Sequence, residues 1–151
     1  MAASVGLGQT PVDSVLSDVN GDTWLDVIEV SRTELRVLLN TNGTFSSAFS
    51  TNLQGAMAVA AGDVNGDNRP DIYVMRGSSG TSTNAADQVY LNSGTGRNFT
   101  RMSSIPSTSQ GRAESVWPID YDGNGLTDFL ALNGNAQSAG PVQLIAFFPA
   151  P

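Results

Sequence analysis

The chain has 151 residues, a formal net charge of −7, no histidine and no cysteine, and all seven of its cationic residues are arginines. This length is sufficient for one domain with a hydrophobic core. The composition excludes disulfides, cysteine chemistry and histidine-based acid–base catalysis. No apolar run reaches the roughly 18 residues of a membrane-spanning helix, and no basic stripe is present. We therefore expect neither a membrane nor a nucleic acid as a partner.

Three acidic segments follow one another along the chain. They are SDVNGDTWLDVIEV from Ser17, GDVNGDNRPDIYVM from Gly62 and IDYDGNGLTDFLAL from Ile119. Nine of the fourteen acidic residues are aspartates of the loops 18–26, 63–71 and 120–128 within these segments, which leaves five acids and six arginines in the rest of the chain. Carboxylates this close together repel one another unless a cation lies between them. The acidity therefore belongs to three short loops and indicates a cation in each.

The spacing of the polar residues is the same in the three loops. Numbered from the first aspartate, each loop has an oxygen-bearing side chain at positions 1, 3, 5 and 9 and a glycine at position 4. Position 7 has no common side chain, which is compatible with a backbone carbonyl ligand. A single loop of this kind is compatible with an ordinary Asp/Asn/Gly turn, but three copies in one register favour binding of a hard cation such as Ca²⁺. The predicted ligands are Asp18, Asn20, Asp22, Trp24 and Asp26 in the first loop; Asp63, Asn65, Asp67, Arg69 and Asp71 in the second; and Asp120, Asp122, Asn124, Leu126 and Asp128 in the third.

Helical calcium loops do not fit this pattern. An EF-hand loop needs flanking helices and an acid at position 12, where the three loops have Glu29, Val74 and Ala131. The segments that follow the loops are short, apolar and rich in β-branched or aromatic residues, which predicts strands. We expect Glu29 to lie on the outward, solvated face of such a strand.

Each loop belongs to a longer repeat of about 45 to 60 residues. A predicted strand precedes each loop and two more follow it, and short fourth strands are predicted near Phe45–Ser50 and Phe99–Ser103. Four antiparallel strands per repeat are typical of β-propeller blades. The predicted repeats span about 11–54, 55–110 and 111–151 of a single 1–151 segment, and residues 1–10 resemble the end of a preceding blade. The segment RGSSGTSTNAAD is predicted to be a surface insertion.

The DVNGD loops, followed by VLLNTNGTF or VYLNSGTGRNF, resemble the FG-GAP/VCBS repeat of integrin α-subunits and of many secreted proteins. The resemblance extends from about Pro11 to Phe148. It implies an extracellular β-propeller with about one Ca²⁺ per repeat, held in the loop that joins the first and second strands of a blade. Asparagine stands at Asn20, Asn65 and Asn124 where the family often has aspartate. We therefore expect affinities on the order of 10⁻⁴ to 10⁻³ M or somewhat tighter.

Three blades are too few for a closed ring, because propellers usually have about four to eight. The third repeat ends without a fourth strand of its own, whereas residues 2–9 resemble a surplus one. We expect a second copy of the chain to complete about six blades by exchanging these strands. The alternative is a fragment of a larger propeller.

Two functions follow from the resemblance. One is a non-catalytic extracellular module that recognises a glycan or a protein. The other is a purely structural segment of a larger secreted or Rhs/toxin-shell-type protein, or an engineered propeller fragment. Aromatic side chains stack on sugars, although most aromatics in strands belong to a core. The candidates for stacking are Trp24, Tyr73, Tyr90, Trp117 and Tyr121.

We expect no enzymatic activity. Glycoside hydrolysis uses a pair of carboxylates, and the glutamates of the chain are Glu29, Glu34 and Glu114. The first two are assigned to solvated strand faces, and Glu114 has no evident partner. The loop aspartates are assigned to the metal, which lowers their pKa values and makes them poor acids.

Overall fold

The computed structural model describes residues 10–77, 85–103, 105, 113–135 and 138–149. No helix that could cross a membrane occurs in these ranges. Within them the chain forms eleven strands. They are β1 (Asp13–Ser17), β2 (Asp26–Val30), β3 (Glu34–Thr41), β4 (Thr44–Asn52), β5 (Ala56–Gly62), β6 (Asp71–Arg76), β7 (Gln88–Asn92), β8 (Phe99–Arg101), β9 (Ala113–Ile119), β10 (Asp128–Asn135) and β11 (Ser138–Ile145).

The strands form three antiparallel sheets in which sequence neighbours pair. The orders are β1-β2-β3-β4, β5-β6-β7-β8 and β9-β10-β11. Each sheet is one propeller blade, so the prediction of an all-β chain of propeller blades is confirmed. The third sheet has three strands among the described residues, and positions 146–149 carry no further strand. Residues 2–9, predicted to be a strand of a preceding blade, and most of the predicted insertion lie outside the described residues.

The middle sheet is buried on both faces, which explains its continuous apolar sequence. Along β6, Ile72 and Val74 pack against the first sheet, whereas Tyr73 and Met75 pack against the third. The ring of Tyr73 stacks on Phe129 of β10 with centroids 4.7 Å apart. Because alternate side chains of a strand point to opposite faces, a strand between two sheets must be apolar at every position.

Each of the two terminal sheets exposes apolar side chains among the described residues. On the first sheet, Leu16 of β1 is exposed, whereas Leu38 on the same face is buried. On the third sheet, Trp117 and Val142 are exposed, and Phe148 is 71% exposed. An exposed apolar face of this kind marks a surface that another sheet covers in a closed propeller.

The expectation that Glu29 faces solvent is wrong. Glu29 is buried, and its carboxylate lies 3.3 Å from the guanidinium of Arg36, its cross-strand neighbour on β3. Burial raises the pKa of Glu29, and the Arg36 charge opposes that rise. The apolar stem of an arginine can cover a carboxylate while its head pairs with it, which an alternating strand pattern does not reveal.

Gly55 connects the first two blades. Its N–H donates to the Arg32 carbonyl at 2.8 Å, and its own carbonyl accepts from Gly77 N at the same distance. The backbone is left-handed there (φ +78°), and a Cβ would lie 2.5 Å from the carbonyl oxygen of Gly77. The connection therefore depends on glycine both for conformation and for space.

We predict that Gly55→Ala destabilises the fold more than Gly43→Ala does. Gly43 has a similar φ of +84°, but nothing lies within 4 Å of its Cβ position. Gly43→Ala should therefore cost only the left-handed strain, about 1–2 kcal/mol, whereas Gly55→Ala adds a collision with backbone. Urea denaturation in calcium-containing buffer measures both losses. Equal losses would show that the contact with Gly77 does not constrain the blade junction.

Candidate metal centres

The three acidic loops join the first and second strands of the three blades, and therefore lie at one end of the sheets. The glycine at position 4 is left-handed in each, with φ of 77° at Gly21, 81° at Gly66 and 74° at Gly123. This is the reason for the glycine that the sequence repeats. Position 6 is left-handed as well, although two of the loops have Thr23 and Asn68 there.

The aspartate at position 1 organises each loop by accepting backbone hydrogen bonds. One oxygen of Asp18 accepts from Gly21 N at 2.7 Å and the other accepts from Thr23 N at 2.7 Å. Asp63 and Asp120 accept from the corresponding positions of their own loops. Partial burial alone would raise the pKa of Asp18, but its backbone donors together lower it below the ordinary value. Asp18 is therefore held as an anion by the loop that surrounds it.

The aspartate at position 9 is fully buried in all three loops. Asp26 accepts from Val19 N at 3.0 Å and from Asn40 N at 2.8 Å, and so ties the loop to the end of β3. The same pair of bonds recurs around the other two: Asp71 accepts from Val64 N and Asn92 N, and Asp128 accepts from Tyr121 N and Phe147 N.

The side chains at positions 3 and 5 each accept a hydrogen bond from the backbone N–H two residues later, which keeps the loop curved. In the first loop, Asn20 Oδ1 accepts from Asp22 N at 3.0 Å and Asp22 Oδ1 accepts from Trp24 N at 2.9 Å. The second loop repeats this pattern with Asn65, Asp67 and Arg69, and the third with Asp122, Asn124 and Leu126. The side chains therefore alternate around one concave turn.

The side chains at position 7 differ in environment. Trp24 is 46% exposed, Leu126 is buried, and Arg69 donates to Asp67 Oδ2 at 2.6 Å. Arg69 therefore partly neutralises the second loop. The sequence analysis considered only the backbone carbonyl of position 7, as a metal ligand, and did not predict this ion pair.

Carboxylates converge most clearly in the third loop. Among the described residues, oxygen atoms of Asp120, Asp122 and Asp128 all lie within 4.8 Å of one another. In the other two loops, position 3 is an asparagine. All the donors are oxygens, which is the ligand chemistry that Ca²⁺ and other hard cations select. The residues present therefore fit a calcium ion.

Electrostatic strain accompanies this arrangement. Burial, together with the charges of Asp67 and Asp63, raises the pKa of Asp71 to about 6 against the opposing effect of two backbone donors. Burial also raises the pKa of Asp26, with added contributions from Asp22 and Asp18. A cation within the loop would relieve both the burial cost and the repulsion.

Asparagines at the ends of the third strands complete the loops, and sequence reasoning missed them. Asn40 Nδ2 donates to the position-8 carbonyl of Leu25, and Asn92 Nδ2 donates to the position-8 carbonyl of Pro70. Asn92 also donates to Val19 O of the neighbouring loop at 2.7 Å. The repeated endings VLLN and VYLN carry this signal in the sequence.

The aromatic side chains considered for sugar stacking fall into two groups. Tyr73 and Tyr90 are buried between sheets, whereas Trp24, Trp117 and Tyr121 are exposed. The two tyrosines therefore belong to the core.

Comparison with known proteins agrees with this architecture. Residues 18–74, from the first loop to β6, match the family model of the FG-GAP-like repeat. This part of the chain is similar to the FG-GAP-like repeat family. No curated protein matches the chain at the level of sequence.

Among solved structures, the chain is similar to a β-propeller lectin of Agrocybe aegerita described by its specific recognition of non-reducing terminal N-acetylglucosamine. The two share 18% sequence identity with a TM-score of 0.50, which shows a shared fold alone. The alignment covers 88% of this chain and 37% of the lectin. The chain thus spans little more than a third of that lectin's length.

We predict that Asp128→Ala destabilises the fold whether calcium is present or chelated. The substitution leaves Tyr121 N and Phe147 N without their acceptor, at roughly 1–3 kcal/mol for each buried donor. Chemical denaturation with calcium and with chelator measures the loss. A loss seen only with calcium would show that Asp128 serves the ion and not the sheet.

Proposed function

We propose that the chain is a non-catalytic, calcium-binding, extracellular propeller module that recognises a glycan or a protein. Each acidic loop holds one Ca²⁺ through the side chains at positions 1, 3, 5 and 9 and the carbonyl at position 7. The observation that supports this most directly is the convergence of Asp120, Asp122 and Asp128 within 4.8 Å. Bound calcium supplies positive charge, and the loop residues position it.

The role of calcium is structural in this proposal. The three loops are linked to neighbouring blades: Thr127 N donates to Asp63 O at 2.6 Å, and Asn92 donates to Val19 O. An ion that fixes one loop therefore also fixes its contacts with the next blade. Sites of modest affinity are sufficient outside cells, where calcium is abundant.

Recognition is supported by the fold, which is shared with a lectin. Catalysis is not part of the proposal, because the loop carboxylates are held by backbone donors or directed at the metal, and Glu29 is paired with Arg36. A glycan array tests recognition: a recognition module binds at least one sugar, whereas a scaffold segment of a larger protein binds none.

A second copy of the chain completes the ring in this proposal. The third sheet presents Trp117, Ile119 and Val142 on an open face, and the first sheet presents Leu16. In a ring of two copies, the third sheet of each copy packs against the first sheet of the other. The ring then has six blades, and both apolar flanks of each copy are covered. Further blades in one longer polypeptide would cover the same flanks.

We predict that Asp122→Asn weakens calcium binding on the order of tenfold at one site, because it removes ligand charge. The side chain is exposed, so stability in chelator should change by about 0.5 kcal/mol or less. Calorimetric titration of calcium and thermal melting measure the two effects. Glu114→Gln is the matched control, since it removes the same charge from an exposed position outside the loops. Equal titrations for the two variants would exclude Asp122 as a ligand.

Native mass spectrometry, with calcium and after chelation, tests the assembly. We expect a dimer that carries about six Ca²⁺ ions, one for each loop. A monomer with three ions would overturn strand exchange but not calcium binding. A spectrum without calcium would overturn the metal assignment itself.

A further inference from the structure

A groove separates the outer parts of the first two blades. Its volume is about 500 Å³, and it lies between the end of β4 and the outer strands of the second sheet. We call it the inter-blade groove; its principal lining residues are Phe49, Gln54, Arg76, Gln88, Tyr90 and Arg101. β4, β6 and β8 all end here, so the groove lies at the end of the blades opposite the acidic loops.

Strand register explains why these side chains meet. Tyr90 of β7 pairs with Arg101 of β8, and Gln88, two residues earlier, pairs with Val74 of β6. Cross-strand partners and next-but-one neighbours share a face of a sheet. Arg76, Gln88, Tyr90 and Arg101 therefore all face the first blade. Tyr90 donates to Gln88 Oε1 at 2.6 Å, which fixes the floor of the groove.

The groove is open because β8 is short. β8 has three residues, whereas β4, the corresponding outer strand of the first blade, has nine. Phe49 and Phe99 pack with ring centroids 5.0 Å apart and close the side nearer the acidic loops. Beyond them, no residue of the described ranges fills the space between the blades.

Among the residues that the structure describes, two arginines and no acidic residue line this space. Arg76 donates to Gln54 O at 2.9 Å and to Ala86 O at 3.0 Å, which leaves Nη2 without a hydrogen-bond partner among the described residues. Arg101 is exposed and forms no hydrogen bond or ion pair within the part of the chain that the structure describes. The adjacent carboxylate, Asp87, accepts from Arg76 N at 2.8 Å with one oxygen and from Tyr73 Oη at 2.7 Å with the other.

The two guanidinium groups are close enough to affect each other. Burial lowers the pKa of Arg76, and the charge of Arg101 lowers it further. Both arginines also favour the anionic form of Tyr90, although burial dominates and raises its pKa. The carboxylate of Asp87 opposes this effect at Arg76, so two guanidinium groups face one nearby carboxylate and the site has a positive balance in a chain with a net charge of −7.

We propose that the inter-blade groove binds a sugar that carries a carboxylate, and that Arg76 and Arg101 bind the carboxylate. Guanidinium groups match carboxylates in a charge-assisted, bidentate geometry. Phe49 supplies the apolar surface for a sugar ring above the buried Tyr90, and Gln88 and Gln54 supply amides for its hydroxyls. The volume holds one or two sugar units. This inference rests on the proposed recognition function and assigns it a site and a ligand class.

The test titrates the calcium-loaded protein with glucuronate and with glucose, which differ only in the carboxylate. Chemical shifts of labelled backbone amides report binding. We expect glucuronate to bind in the millimolar range and to shift amides of β4, β7 and β8, and glucose to bind at least about tenfold more weakly. Arg101→Gln should weaken glucuronate binding about tenfold. Arg97→Gln, which removes the same charge from an exposed turn just before β8, should leave it unchanged.

Three results would overturn the inference: no binding of glucuronate, equal binding of glucose and glucuronate, or equal weakening by Arg101→Gln and Arg97→Gln. Binding of a neutral sugar alone would overturn the carboxylate assignment and leave glycan recognition intact. Loss of calcium stabilisation would overturn the metal proposal and leave the groove titration valid. Circular dichroism shows that each variant is folded before it is titrated.

Discussion

The buried aspartate at position 9 is the constraint on which the rest of each blade depends. Asp26, Asp71 and Asp128 each accept one hydrogen bond from the start of their loop and one from the end of the third strand or just beyond it. A buried carboxylate is costly unless charge-assisted hydrogen bonds satisfy it. Once these bonds form, the loop, the second strand and the end of the third strand have fixed relative positions, and the concave turn of ligands follows from them.

Contacts between blades extend this local constraint across the sheets. Gly96, in the turn before β8, lies close to Val19 and Leu39 of the first blade, and a Cβ there would collide with both. The side-chain amide of Asn92 donates to Pro70 O in the loop of its own blade and to Val19 O in the loop of the first blade. The acidic ends of the blades are therefore packed to one another through backbone and short polar side chains. A cation held in one loop stabilises a junction as well as a turn, which agrees with a structural role for calcium.

The sequence predicted the features that repeat, and failed where the chain makes use of a single side chain. The all-β blades and the glycine at position 4 follow from patterns present three times. The burial of Glu29 against Arg36 and the ion pair of Arg69 with Asp67 each depend on one pair of side chains. The inter-blade groove was not predictable, because Phe49, Tyr90 and Arg101 are distant in sequence and meet only when two sheets pack. Whether the repeats close into a ring with a second chain remains a prediction.

The geometry of packed blades explains why a groove forms at the outer strands. Near the inner edge, β5 lies between β1 and β9, and its small residues Ala56, Ala58 and Ala60 allow the strands to approach closely. Sheets that converge at one edge diverge at the other, so the outer gap needs large side chains such as Phe49, Tyr90 and Phe99 to fill it. Beside β8, which has three residues, the described side chains do not fill this gap, and the inter-blade groove remains. Because strands run through the blade from end to end, this groove and the acidic loops occupy opposite ends. Metal binding and ligand binding can then use different surfaces of the same sheet without competing for charge.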